Sequence, residues 1–299
     1  MSFYEEQKVR LQLFLSEYGK VASVLFLFVV SIFCVVWLCT FLQPEKLKVS
    51  FLDVGQGDAI LVQTPSGHDI LVDGGPTREV LSQVSHELGY FDRDIEVMIA
   101  THGDADHITG LIPILEKYSV KHIVQSPVKA STDMFEDLES HVENESAGVY
   151  VGEKGDVIDF GDGVMLHVLY PNKYTSPKID TNDASVSFVL TYGEHSFMLT
   201  GDLTTKYESL LLQSVLPKHV TVYKAGHHGS KTSSGEQLLT YIRPEYAVIS
   251  AGKDNRYGHP APEVLERLRV YSQEVLSTID RGMITFVSDG RLLEVETEK

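Results

Sequence analysis

Thr101 to His107 reads THGDADH and closes the apolar run IEVMIAT, which begins at Ile95. His102, Asp104, Asp106 and His107 therefore sit together at the end of a predicted buried strand. Imidazole nitrogens and carboxylate oxygens are good ligands for divalent metals. A loop leaving a strand can aim alternate side chains at one point while the following helix fixes its backbone. A solvated acidic turn that caps a helix would account for one aspartate but leave both histidines without a role. The stretch predicts a site with room for two metal ions.

Two later segments have the same form. LTGDL places Asp202 at the end of another apolar strand, and KAGHHGS places His227 and His228 at the end of the next. Alone, Asp202 reads as a helix N-cap and HHGS as a glycine-rich turn. Beside THGDADH they form a series of ligands delivered from strand ends to one sheet edge. His68, His86, His122, His141, His167, His195 and His219 stand in no such company and read as surface or core residues.

The chain has 299 residues, 43% hydrophobic and 22% charged, proportions that allow a packed core and exclude a disordered, collagen-like or coiled-coil chain as a whole. Its 25 Lys and Arg against 42 Asp and Glu leave a net charge of −17, so no basic surface advertises a nucleic-acid-binding module. Both cysteines, Cys34 and Cys39, lie in one apolar stretch, which rules out a disulfide scaffold or a cysteine-ligated metal elsewhere. That stretch, Val21 to Leu42, carries no charge, and at about 1.5 Å per residue it reaches roughly 33 Å, enough to span a bilayer. Bulky Trp37, Leu38 and Phe41 at its end do not resemble a signal-peptide cleavage site. A tail over residues 1–20 and a retained single-pass helix over 21–42 are expected. Lys8, Arg10 and Lys20 before the span outnumber Lys46 and Lys48 after it, which places the following domain outside the cytoplasm.

Residues 47–299 read as one α/β domain. LKVSFLDV, DAILVQT and DILVDGG are short β runs separated by GQG and PSG turns, a meander. A helix follows Pro76 to about Leu88, and another follows the His/Asp loop to about Tyr118. VMLHVLY, SVSFVLTY, HSFMLTGD, VTVYKAG and YAVISAG are further strands, with helices over 203–214, 234–242 and 262–271. Residues 126–153 read as an inserted or flexible part.

The segments FLDVGQGDAILVQTPSGHDILVDGG, THGDADHITGL, NDASVSFVLTYGEHSFMLTGD, KAGHHGSKTS and YGHPAPEVLERL resemble, in order and spacing, the metallo-β-lactamase-fold hydrolase domain of ComEC-type competence DNA-uptake proteins. The resemblance covers residues 47–299 and implies a four-layer αββα sandwich with its site at one edge of the two sheets. It implies that His102 and Asp104 hold one metal, that Asp106, His107 and His228 hold the other, and that Asp202 bridges both. Asp106, His227 and His259 are the implied catalytic groups, with His227 free to meet substrate and His259 donating to a leaving-group oxygen. Asp58, Asp73, Asn182 and Ser230 are the implied supports behind the ligands. The sequence departs from the commonest motif at Asp104, where that motif has His, and at Asn182, Asp183 and Ser185, which stand where a further His would precede the bridging aspartate. An oxygen-rich set suits manganese or magnesium better than the usual zinc. One span cannot form a channel, so the resemblance carries no transport role.

The implied activity is metal-dependent hydrolysis, with a membrane-anchored phosphodiesterase or nuclease foremost. Two cations would lower the pKa of a water between them and neutralise charge on a phosphodiester oxygen. Hydrolysis of a small ester, lactone or phosphocholine-type substrate is the enzymatic alternative, because one fold hosts many reactions. A non-catalytic partner protein fits the nearly complete ligand set least well. Residues 47–299 carry the whole −17, which opposes approach of a polyanion at long range. Divalent cations would reverse that field locally, and Lys224, Lys231, Lys253 and Arg256 flank the motifs where neighbouring phosphates would lie. Weak, sequence-indifferent cleavage of single-stranded DNA follows as the expectation.

Overall fold

The N-terminal apolar run forms helix α1 (Phe3–Phe41). The computed structural model describes residues 3–41, 46–89, 92–214, 217 and 219–299. Residues 1–44 and 45–299 are separate units. Met1 and Ser2 of the expected tail and Leu42 of the expected span lie outside the described residues, and residues 3–20, read as a tail, continue the same helix. Its most apolar part is Tyr18–Val35, with mean hydropathy 2.1 and none of it buried, long and apolar enough to cross a membrane. Within it the Ser23 and Ser31 hydroxyls donate to the carbonyls of Gly19 and Phe28, so neither carries an unpaired donor into an apolar medium.

In the second unit the meander forms β1 (Leu47–Phe51), β2 (Ile60–Gln63) and β3 (Asp69–Val72), antiparallel with Phe51 opposite Ile60 and Ile60 opposite Val72. Three parallel strands extend it through helical crossovers. The chain runs α2 (Val80–Leu88), β4 (Asp94–Ala100), α3 (Ala105–Ile108), α4 (Leu111–Leu115), β5 (Ser119–Gln125), α5 (Asp133–Asn144) and β6 (Gly148–Val151). The second sheet opens with antiparallel β7 (Val157–Asp159), β8 (Val164–Tyr170), β9 (Ser187–Tyr192) and β10 (His195–Leu199). It turns parallel through α6 (Thr205–Leu211), β11 (Val222–Lys224), α7 (Glu236–Ile242), β12 (Tyr246–Ile249), α8 (Pro262–Tyr271) and β13 (Glu274–Ser277). After α9 (Thr278–Arg281), the hairpin β14 (Ile284–Ser288) and β15 (Leu293–Thr297) rejoins the first sheet beside β1.

Period-two alternation decides the layers. Ile60 and Val62 face Phe188, Leu190 and Phe197 across the gap between the sheets. Leu61 between them turns outward with Leu71 and Met98 onto Val80, Val84, Leu111 and Leu138 of the first helical layer. Met198, Tyr223 and Ala247 meet Leu211, Leu239, Val264 and Leu268 of the second. The result is the expected αββα sandwich. The topology brings the C-terminal ends of β3, β4, β10, β11 and β12 to the site, the end of a parallel sheet where ligands ordinarily bind.

Two expectations require correction. Residues 126–153 are no flexible insertion: α5 buries Phe135, Leu138 and Val142, is capped by the Thr132 hydroxyl accepting from the Phe135 N–H at 3.3 Å, and leads into β6, paired parallel with β5. The helix after THGDADH is two short ones broken at Gly110. A Cβ there would lie 1.9 Å from the Gly74 carbonyl oxygen, so this backbone contact behind the site tolerates only glycine.

Candidate metal centre

Thr101 directly follows β4, and its N–H and hydroxyl donate to the two oxygens of Asp73 at 2.8 and 2.7 Å. Asp73, at the end of β3, also lies 2.8 Å from Nδ1 of His107. Fixing Nδ1 leaves Nε2 of His107 as the free nitrogen. His102 is treated alike by the Thr101 oxygen, 3.0 Å from its Nδ1, and His228 by the Ser250 carbonyl at 3.0 Å and Asp58 Oδ1 at 3.2 Å. Such supports set the tautomer and ring orientation of a metal-binding histidine.

The Nε2 atoms of His102, His107 and His228 and Oδ1 of Asp202 are buried, and among the described residues they have no hydrogen-bond partner. They converge. Asp202 Oδ2 lies 4.0, 3.3 and 3.5 Å from those three nitrogens, and Asp106 Oδ2 lies 3.4 Å from His228 Nε2. His102, His107 and Asp202 form one group with ligand atoms all within 4.8 Å, and Asp106, His107 and His228 form another. Buried donors and acceptors are nearly always paired, so open atoms on four side chains around one point fit divalent cations.

The electrostatics agree. Burial pushes Asp202 up, yet the imidazoles of His228, His107 and His102 hold it well below the usual carboxylate range. Burial opposes charging of His107, which Asp202 and Asp73 nevertheless raise well above an ordinary histidine. His228 is raised to about 9 against its own burial, by Asp202 and Asp58. His102 falls to about 4 through burial and the charge of His107. The carboxylates thus favour positive charge on His107 and His228, the place that cations would take over. Backbone strain accompanies the arrangement: Asp73, His227 and His228 have φ of 58°, 48° and 54°, uncommon for side chains of their size.

Residues 52–253 match the Metallo-beta-lactamase superfamily. The chain belongs to that superfamily. This metallo-beta-lactamase domain is similar to ComE operon protein 3 of Bacillus subtilis, 30% identical over 276 residues, covering 86% of this chain and 35% of that protein. It is also similar to competence protein ComA of Neisseria gonorrhoeae, 29% identical over 81% of this chain and 33% of that protein. The chain spans about a third of the length of these relatives. CmlA, a diiron beta-hydroxylase from Streptomyces venezuelae, has the same fold, with TM-score 0.52 and 12% identity over 81% of this chain and 54% of that one. A metallo-beta-lactamase fold with this ligand cluster indicates divalent metals and a metal-dependent hydrolase family.

The other expected residues take distinct places. Asp104 precedes α3 without capping it and stands at the edge of the cluster, Oδ1 accepting from the Thr181 hydroxyl at 2.6 Å and Oδ2 3.9 Å from His102 Nε2. Asp202 is no cap either, since Thr204 occupies the N-cap of α6. His227 sits at the rim, its side chain 25% exposed and its Nε2 3.6 Å from Asp202 Oδ2. His259 packs 5.6 Å from the His227 ring, and burial and the His227 and His228 charges lower its pKa. Asn182 connects to Asp202 through Ser185: its carbonyl accepts the Ser185 N–H, and the Ser185 hydroxyl accepts the Asp202 N–H. Ser230 meets the Thr232 hydroxyl at 3.0 Å, and Thr232 lies 3.4 Å from His227 Nδ1. Among the described residues, the seven histidines outside the motifs join no ligand group.

Lys224 overturns its expected role. It is 1% exposed and pairs with Asp58, so it supports the centre from behind and meets no phosphate. The hint was present in VTVYKAG, where a lysine interrupts a strand buried on both faces. Thr101 and Ser250, which orient ligands, had no such signal.

Proposed function

We propose that the domain is a membrane-anchored, metal-dependent phosphodiesterase acting on single-stranded DNA. The observation that carries this reading is the convergence of three oriented, buried imidazoles with Asp202 and Asp106 on one point. His102, Asp104 and Asp202 would hold one divalent cation, and Asp106, His107, His228 and Asp202 the second, manganese or zinc. When bound, such a pair supplies Lewis acidity to a phosphodiester oxygen and a nucleophile from water at neutral pH.

The chain's own residues do the rest. Asp73, Thr101, Asp58 and the Ser250 carbonyl hold the rings so that no reorganisation is needed during reaction. His227 at the rim would contact substrate, and His259 behind it would donate its N–H toward a leaving oxygen. The relatives' association with competence makes DNA the first polyanion to test, and α1 would tether the domain with its site outside the cytoplasm.

The test is a substrate panel on the full chain in detergent with Mn²⁺, Zn²⁺ or Mg²⁺. Cleavage of single-stranded DNA that falls with rising salt is expected. Turnover of bis(p-nitrophenyl) phosphate without DNA cleavage would move the reading to a small-molecule phosphodiesterase, and turnover of esters or lactones alone would sink it. For topology, cysteine at Glu143 should react with an impermeant thiol reagent on intact cells; labelling only after lysis would reverse the orientation.

A further inference from the structure

A cleft of about 450 Å³ opens beside the centre, lined by Gln56, Pro76, Ala105, Asp106, Asn255, Arg256 and Tyr257. Asp106 joins it to the ligand cluster, and the loop between β12 and α8 forms its far wall. One side chain ties that loop. Asn255 Nδ2 donates to the carbonyls of Gly252 and His259 at 2.9 and 2.5 Å, while its Oδ1 accepts the N–H groups of Tyr257 and His259 at 3.1 and 3.0 Å. The Gly252 N–H in turn donates to Gln56 Oε1 at 3.2 Å. The loop therefore fixes the backbone of Tyr257 although the residue is 53% exposed.

On this loop the Arg256 guanidinium lies 4.8 Å from the Tyr257 ring centroid, and its Nη2 donates to the Tyr257 hydroxyl at 2.6 Å. Tyr257 lies near-parallel to His259, centroids 5.7 Å apart at 22°, and His259 meets His227 at 5.6 Å. Guanidinium, phenol and two imidazoles thus form a row that starts in the cleft and ends beside Asp202. An exposed aromatic held in place costs little order to stack upon, and every nucleobase has a face to offer it. A guanidinium next to it matches the phosphate that a base in a strand always brings. In a domain otherwise strongly acidic, this is where attraction for a strand can be concentrated.

Resting on the phosphodiesterase reading, we propose that Tyr257 and Arg256 form a subsite for the base and phosphate of a nucleotide flanking the cleaved bond. Stacking makes the subsite indifferent to sequence, and it favours single strands, whose bases are free to turn onto the ring. Two p-nitrophenyl diesters sharing one leaving group provide the test, the thymidine 5′-ester and the methyl ester, on the full chain in detergent with Mn²⁺. Tyr257→Ala should lower the preference for the thymidine ester about tenfold, through KM. Tyr257→Trp should restore it, and Arg256→Gln should weaken the salt dependence. An equal loss on both esters would make Tyr257 a prop for the centre and overturn the subsite, as would an unchanged preference. Binding of fluorescein-labelled oligothymidylate, read by anisotropy, needs no turnover. Roughly tenfold weaker binding by Tyr257→Ala supports the subsite, and equal binding by both proteins rejects it. A wild-type chain that binds the oligonucleotide but hydrolyses neither ester would overturn the phosphodiesterase reading, with the binding difference still deciding the subsite.

Discussion

Two buried polar clusters share this domain and treat their atoms in opposite ways. Behind the second sheet, Glu208 is 3% exposed, and its oxygens accept the N–H groups of Ser234 and Gly235 at 2.6 and 2.8 Å. Arg267 donates to the Ser234 carbonyl at 2.9 Å, and the Tyr223 hydroxyl meets the Ser234 hydroxyl at 3.1 Å. The cluster closes on itself and holds Ser234 at a φ of 54°. At the metal centre, second nitrogens are fixed just as firmly, yet three Nε2 atoms and one oxygen each of Asp202 and Asp58 stay open. The Glu208 cluster finds its partners within the chain, whereas open atoms that converge on one point from several ligand-type side chains are held ready for something the chain does not supply.

Lys224 tests where the boundary between the two kinds lies, because its pair with Asp58 is closed while Asp58 also reaches His228. Lys224→Met should destabilise the domain by about 3–5 kcal/mol by leaving Asp58 buried against fewer charges. Urea unfolding would show it, and a loss below ~1 kcal/mol would mean that the pair contributes little. Glu208→Ala should cost roughly 2–4 kcal/mol by orphaning two backbone N–H groups, while metal binding by the remaining folded protein persists. A loss of metal without a loss of stability would erase the distinction between the clusters.

The smallest effect concerns pH. Burial, opposed by the Gln63 amide and reinforced by Asp92 and Glu96, pushes Asp69 up to about 7. The unfolded chain then releases this proton first as pH rises, so stability from this group falls between about pH 4 and pH 7 and is level above. Asp69→Asn should flatten that slope, read as melting temperatures at about pH 5 and 7.5. A slope unchanged by the substitution would assign the pH response to other groups.

What the sequence made legible follows the range of the interactions involved. VMLHVLY is β8 and PEVLERLRVY is α8, because a strand or an amphipathic helix is written in its own local pattern. The ligands were legible because each sits at the end of such a strand. Residues 126–153 misled because α5 is mostly polar, burying Phe135, Leu138 and Val142 with Met134 packed beside them, and Val149, Tyr150 and Val151 of β6 are half exposed. The return of β14 to β1 and the pairing of Lys224 with Asp58 join residues far apart in the chain, and nothing local encodes either.

The open atoms at the centre are the core of this account, and among the described residues Asp202 lies against all three imidazoles that present them. The direct measurement is the metal content of the purified full chain and of Asp202→Ala, by elemental analysis after equilibration with Mn²⁺ or Zn²⁺, with circular dichroism confirming the fold. Two divalent ions per wild-type chain, at most one in the variant and loss of hydrolysis are predicted. A wild-type chain that binds no metal, or an Asp202→Ala variant that keeps both ions, would contradict the account.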